Sequence, residues 1–293
     1  MTLPPELRAA LEQTLRTRIA GTASVTGGCI SRTARLDLAN GKRAFLKWAH
    51  AAEHTPGLFR AEATSLQAIM NTNTVRVPGV IDVVDTNTGF SCLTLEWIEP
   101  GPASRESWME LGSSLARLHQ HRADHFGWTE DNFIGSLPQS NRTHAKWSEF
   151  WSDERIRPQL EAAKARFTPG DRARFEKLLY ISEELIGVGD QERGSLLHGD
   201  LWNGNVHMIA GGGAAVIDPS SYYGHREVDL AMSKLFAGFD RVFYEAYEQT
   251  WPLAPGADQR LQVYQLYYLL VHVNIFGASY VPNTLAVLNQ LGF

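Results

Sequence analysis

The sequence predicts an α+β chain of two lobes: a small antiparallel β lobe carrying one helix over residues 1–98, and a larger, mainly helical lobe over residues 99–293. Three observations carry that expectation. Short apolar segments with strand character crowd the stretch between residues 22 and 97. The texture turns helical after the breaker Glu99-Pro100-Gly101-Pro102. A chain of 293 residues, 44% hydrophobic and 20% charged, can also bury a large core in one large or two medium domains.

Taken in order, Pro4 to Ala20 has helical spacing through Leu7, Leu11, Leu15 and Ile19, with Gly21 as its stop. Val25 to Leu38 holds Gly27-Gly28 between two segments of strand character. Arg43 to Trp48 is a short strand with Lys47 near its end. Leu58 to Met70 returns to helical spacing, with Phe59, Ala63, Leu66, Ile69 and Met70 on one face. Val80–Val84 and Phe90–Trp97 read as strands joined by a turn at Asp85–Gly89. In the second lobe Ser104 caps a segment with Leu111, Leu115 and Leu118 on one face. A polar, loop-like stretch runs from Phe126 to Asn141. Helical segments follow from Trp147 to Ala165, from Pro169 to Ile186, and from Glu227 to the C-terminus.

The net charge of -5 argues against a nucleic-acid partner. Met1 to Arg18 carries charges throughout, unlike a secretory signal. The apolar segment Leu261–Ala278 contains Gln265, His272 and Asn274, so a buried core helix is expected there, and no membrane span. Two cysteines, Cys29 and Cys92, do not make a disulfide framework. A cytoplasmic protein, monomer or homodimer, is the resulting expectation.

The chemistry concentrates in Leu197-His198-Gly199-Asp200-Leu201-Trp202-Asn203-Gly204-Asn205, followed by Val216-Ile217-Asp218-Pro219 on a short β-hairpin. Asp200 and Asn205 are five apart, and Asp218 lies thirteen residues further on. This is the spacing of the kinase catalytic loop, in which one Asp meets the substrate hydroxyl while an Asn and a second Asp hold Mg2+ against ATP. Asp200 is accordingly the expected catalytic residue, with Asn205 and Asp218 as hard-oxygen metal ligands. His198 is expected to brace the loop. Polar turns do gather Asp and Asn, but turn chemistry does not predict the whole run at once.

Upstream, Lys47 and Glu62 stand fifteen apart on a strand and a helix. A lysine aimed at phosphates needs such a carboxylate to hold its ammonium, and Glu62 is preferred over Glu53 for that role. Gly27 and Gly28 would let backbone N–H groups approach phosphates, although such a pair is more often a plain turn. Glu96 and Ile98, before the lobe boundary, are placed to meet an adenine edge through main chain.

These residues resemble the fructosamine kinase (ketosamine-3-kinase) family of the protein-kinase-like fold, related to aminoglycoside and choline kinases. The likeness rests on His198–Asn205, on Ile217-Asp218-Pro219, and on the run Tyr222-Tyr223-Gly224-His225-Arg226-Glu227-Val228-Asp229-Leu230-Ala231-Met232. It extends to Gly27–Ile30, Phe45–Lys47, Glu62–Leu66, Phe126–Trp128, Asp131–Gly135 and Leu137–Gln139, nearly the whole chain in order. The His-Gly-Asp motif alone is shared by many small-molecule kinases; the Tyr222–Met232 run is narrower. The resemblance implies ATP-dependent phosphorylation of the 3-hydroxyl of ketosamines, after which the amine is freed. Trp202, His225, Arg226 and Glu227 are the candidate substrate contacts, with Tyr222 and Tyr223 as a wall. Asp229 is expected to brace structure. Asp131, Asn132, Gln139 and Asn141 either border the sugar or shape a loop. Cys29, in the glycine turn, is a candidate redox-sensitive thiol. A kinase for another small alcohol, such as an aminoglycoside or amino alcohol, and a nucleotide-binding pseudokinase are the competing readings.

Overall fold

The computed structural model describes residues 2–25, 31–50, 52 and 55–293. Gly27, Gly28, Cys29 and Glu53 lie outside the described residues. The small lobe begins with α1 (Pro5–Leu15), followed by β1 (Ile19–Ser24), β2 (Arg32–Leu38), β3 (Arg43–His50), α2 (Leu58–Asn71), β4 (Val80–Asp85) and β5 (Phe90–Glu96). The strands form an antiparallel sheet in the order β1-β2-β3-β5-β4.

Alternation along β3 explains the layering. Ala44, Leu46 and Trp48 point one way and bury against Leu3, Leu7 and Leu11 at α1. Phe45 and Lys47 point the other way, into a cavity. Both helices that the sequence predicted before residue 99 are present, α1 ahead of the sheet and α2 within it. The first helix is shorter than its periodicity implied. Arg16 adopts a left-handed cap at φ 51°, and Ile19 leaves the helix to pair with Leu38. Strand pairing and burial of Ile19 override helical spacing, and Gly21 falls at a register shift instead of a helix stop.

The large lobe opens with α3 (Arg105–His119), whose Ser104 cap accepts the Ser107 N–H at 3.1 Å. Next come β6 (Arg122–Ala123) and a hairpin of β7 (Asn132–Ile134) and β8 (Leu137–Gln139), inside the stretch expected to be a loop. Helix α4 (Trp147–Phe150) runs through a π-helical segment, Trp151–Ile156, into α5 (Arg157–Ala162); α6 (Pro169–Tyr180) and α7 (Ser182–Ile186) follow. Strand β9 (Gly194–Leu196) leads to the hairpin β10 (Val206–Met208) and β11 (Ala214–Val216), and then to β12 (Tyr223–Gly224). The chain closes with α8 (Glu227–Leu235), α9 (Arg241–Thr250), α10 (Ala257–Phe276) and α11 (Val281–Gln290). Helix α10 is the central pillar, burying residues on all sides from Leu261 to Val273. Among the described residues, no helix is long and apolar enough to cross a membrane. Helices α3 and α9 pack so closely at Gly112 that a Cβ there would lie 2.1 Å from the Phe243 carbonyl oxygen.

The lobes are fastened at more than one point. The Val216 N–H donates to the Arg76 carbonyl at 2.9 Å, and Gly101 and Ala210 tie the connecting segment to the β10–β11 hairpin. Elsewhere on the cavity wall, the Ser221 N–H donates to Ser65 Oγ of α2 at 3.2 Å.

Candidate active site

A cavity of about 770 Å³ lies between the lobes. Lys47, Glu62, Glu96, Ile98, Asp200, Trp202, Asn205 and Asp218 all line it, although they come from both ends of the sequence. Lys47 Nζ lies 2.7 Å from Glu62 Oε1 and 2.5 Å from Asp218 Oδ1. Burial alone would lower the lysine's pKa, but the two carboxylates outweigh it and raise it, so the ammonium stays charged. Burial, aided by Asp218, pushes Glu62 up to about 7 against the pull of Lys47.

The catalytic loop is built on Asp229. Its carboxylate accepts the His198 N–H at 2.7 Å and the Gly199 N–H at 2.9 Å, and it faces His119 Nε2 at 3.1 Å. Burial would raise this carboxyl, yet these donors hold it below the usual carboxylate range. Gly199 has φ 86°, and a Cβ there would sit 2.1 Å from the Ser220 carbonyl oxygen, so only glycine fits. His198 is buried; its Nε2 donates to the Ile217 carbonyl at 2.9 Å, and its Nδ1 accepts the Asp200 N–H at 3.2 Å. Histidine and Asp229 are thus braces, as the sequence indicated.

Asn205 Nδ2 donates to the Asp200 carbonyl at 2.8 Å and to Asp200 Oδ2 at 3.2 Å. That fixes the amide with its donor end spent on Asp200, leaving Oδ1 as a hard oxygen. Asp200 sits in the cavity wall with its carboxyl pushed up to about 7, first by burial and then by Asp218. Asp218 has φ 57°, a left-handed conformation unusual for a side-chain-bearing residue. The hairpin brings the metal-ligand candidates together at its open end: Asn205 precedes β10, Asp218 follows β11, and the Ile217 N–H donates to the Asn205 carbonyl at 3.0 Å. Among the described residues no cluster of three or more His, Cys, Asp or Glu side chains could cage a metal alone. Two oxygen donors fit a cation that takes its other ligands from phosphates and water.

At the nucleotide end, the Glu96 N–H is bound to the Gly79 carbonyl at 2.8 Å, and its side chain pairs with Arg76 and accepts the Gly79 N–H. The Ile98 carbonyl accepts from His207 Nε2 at 3.0 Å, while the Ile98 N–H has no partner among the described residues. The Ile98 main-chain donor is therefore open to the cavity, whereas the Glu96 N–H is already committed.

Three of the substrate candidates are corrected. His225, Arg226 and Glu227 are 1–2% exposed and do not line the cavity. His225 Nδ1 pairs with Tyr264 Oη at 2.9 Å, Arg226 donates to the Trp251 and Pro252 carbonyls, and Glu227 is clasped by Arg260 at 2.6 and 2.8 Å. They form the base of α8, which presents Asp229 to the catalytic loop. Tyr222 is fully buried over Arg155, and Tyr223 lies against Trp128; neither forms the expected wall. Trp202 does line the cavity, 37% exposed. Asn132 lines it too, its amide held by Gln139, Asn141 and the Ser221 carbonyl. Sequence reasoning missed Tyr268 and His272. Their spacing of four on an apolar helix was the available signal.

Fold and site together define a phosphotransferase of the protein-kinase-like fold. A solved aminoglycoside phosphotransferase, in ternary complex with AMP-PNP and hygromycin B, shares that fold with a TM-score of 0.65, 16% identity and 98% coverage of both chains. The chain belongs to the fructosamine kinase family, whose sequence model matches residues 5–292. It is 35% identical to the ketosamine-3-kinase of Mus musculus, over 95% of this chain and 99% of that one. It is 37% identical to a chloroplastic protein-ribulosamine 3-kinase of Oryza sativa subsp. japonica, over 94% and 79%. A Thermobifida fusca crystal structure assigned as a fructosamine-3-kinase has a TM-score of 0.88 at 36% identity, covering 97% and 98%.

Proposed function

We propose that this enzyme transfers the γ-phosphoryl group of ATP, with Mg2+, to the 3-hydroxyl of ketosamines such as ribulosamine or fructosamine adducts, a step in deglycation. The observation that carries the reading is the convergence of Lys47, Glu62 and Asp218 with Asp200 and Asn205 in one cavity. Membership of the fructosamine kinase family and the names of the mouse and rice relatives support the acceptor.

In this reading Lys47, oriented by Glu62, draws the phosphates into line. Asn205 Oδ1 and Asp218 would hold the magnesium, which supplies charge neutralisation on the phosphates. Asp200 orients the attacking hydroxyl and takes its proton, a role that its raised basicity suits. The Ile98 N–H positions the adenine, and Gly27 and Gly28 are the candidate phosphate-facing turn. Trp202 borders the acceptor.

ADP release with a synthetic ribulosamine or fructosamine tests the activity; no release with either overturns it. Asp200→Asn should lower turnover by about 10²–10⁴-fold, while calorimetry still detects Mg2+–ATP binding. Full turnover in that variant would sink the role given to Asp200.

A further inference from the structure

Helix α10 carries a row of side chains away from the catalytic loop. Tyr268 Oη donates to the Gly199 carbonyl at 2.8 Å, next to Asp200. His272 and Phe276 follow at intervals of four, which sets them about 6 and 12 Å farther along the helix. All three line the cavity, and Phe276 is 50% exposed at its rim.

The His272 ring has a defined tautomer. Nδ1 lies 2.7 Å from the Tyr268 carbonyl oxygen, which can only accept, so the proton sits on Nδ1. Nε2 is then a lone-pair acceptor, and it has no partner among the described residues. Burial lowers the ring's pKa and favours this neutral form. The ring is surrounded by Phe236 at 4.7 Å, Tyr280 at 5.0 Å and Phe276 at 5.4 Å between centroids. A single acceptor inside an aromatic collar calls for one N–H or O–H donor that bears an apolar substituent.

The charges on the cavity wall narrow this further. Its acidic members are Glu62, Glu96, Asp200 and Asp218, and its lysine, Lys47, is already held by two carboxylates. No arginine lines it among the described residues. An anionic acceptor arm would find no counter-charge there.

Resting on the ketosamine-kinase reading above, we propose that α10 reads the amine arm of the acceptor. His272 Nε2, its ring held in place by Phe236 and Tyr280, accepts the N–H of the ketosamine nitrogen, and Phe276 at the rim borders that nitrogen's substituent. The preferred acceptors are ketosamines of amines with apolar or aromatic arms, in preference to those of α-amino acids with a carboxylate beside the nitrogen. With the 3-hydroxyl at Asp200, the nitrogen lies a few bonds away, within the span of one helical turn.

The test compares kcat/KM of the Mg2+–ATP-loaded enzyme for three acceptors: N-benzyl ribulosamine, the ribulose adduct of glycine, and the O-benzyl ether analogue that lacks the N–H. We expect the benzylamine adduct to exceed each of the other two by about tenfold or more. His272→Ala should erase the preference for nitrogen over oxygen. Phe276→Ala, at an exposed position, should raise KM for the benzylamine adduct about tenfold with kcat kept, and so shrink its advantage over the glycine adduct. Equal efficiency for all three acceptors in the unaltered enzyme overturns the proposal without any variant. Preferences that survive both substitutions overturn it as well. Phosphorylation of none of them would instead remove the ketosamine reading on which it rests.

Discussion

Asp200 has two neighbours pulling its chemistry in opposite directions. Burial and Asp218 raise its carboxyl to about 7, while Asn205 donates to it. In an unfolded chain the same group ionises near ~3.9. Above pH 7 it is ionised in both states, so the folded state bears the full penalty; below about pH 4 it is protonated in both and there is none. Asp200→Asn should therefore stabilise the nucleotide-free protein at pH 8, by about 1–3 kcal/mol. That gain should fade as the pH falls from 7 toward 4. Thermal melts at pH 8 and pH 5 read it directly, and a shift of equal size at both would be wrong for this mechanism. Lys47→Met has the opposite character. It leaves Glu62 and Asp218 facing each other without their shared cation, so we expect a lower unfolding temperature together with a KM for ATP raised about tenfold or more. An unchanged KM would remove Lys47 from the phosphate site.

At the scale of elements, α8 illustrates how one motif can be recognised and its parts misassigned. The run from Tyr222 to Met232 was legible as a signature, yet a string of letters does not show which side of a wall a residue faces. His225, Arg226 and Glu227 turn inward to Tyr264, Trp251 and Arg260, partners far along the chain, and only the packed structure reveals that. Glu227→Gln should lower stability by about 1–3 kcal/mol, because Arg260 would lose its charged partner and keep only the Ala254 and Pro255 carbonyls and a neutral amide. KM for the acceptor should stay within about twofold where the protein remains folded; a large KM change with unaltered stability would return Glu227 to the substrate. By contrast, Lys47, Glu62, Asp200, Asn205 and Asp218 were legible because phosphoryl transfer restricts both residue type and order. The first helix was misjudged for a different reason. Ile19 fits a helical stripe locally, but the energy of its strand contact with Leu38 lies outside any local window.

For the whole molecule, the sheet and the helical body each supply half of one site. Ligation of both halves should therefore appear as stability. A nonhydrolysable ATP analogue with magnesium, at about a hundred times its Kd, should add about 2.7 kcal/mol to the unfolding free energy. A chelator should withdraw most of that gain if Asn205 and Asp218 hold the cation. An increment that survives chelation would mean that the nucleotide binds without it.

The contacts that cross between the lobes have a kinetic consequence. Hydrogen bonds join Arg76 to Val216 and Ser65 to Ser221, and an ion pair joins Lys47 to Asp218. A cleft pinned at one edge can swing, but a cleft pinned at two separated points behaves as a frame. Exchange of acceptor and product is then expected to proceed past the side chains at the rim without rotation of the lobes, and μs–ms relaxation dispersion across both lobes that tracks turnover would count against it. Residence in the cavity is set by what the rim lets go.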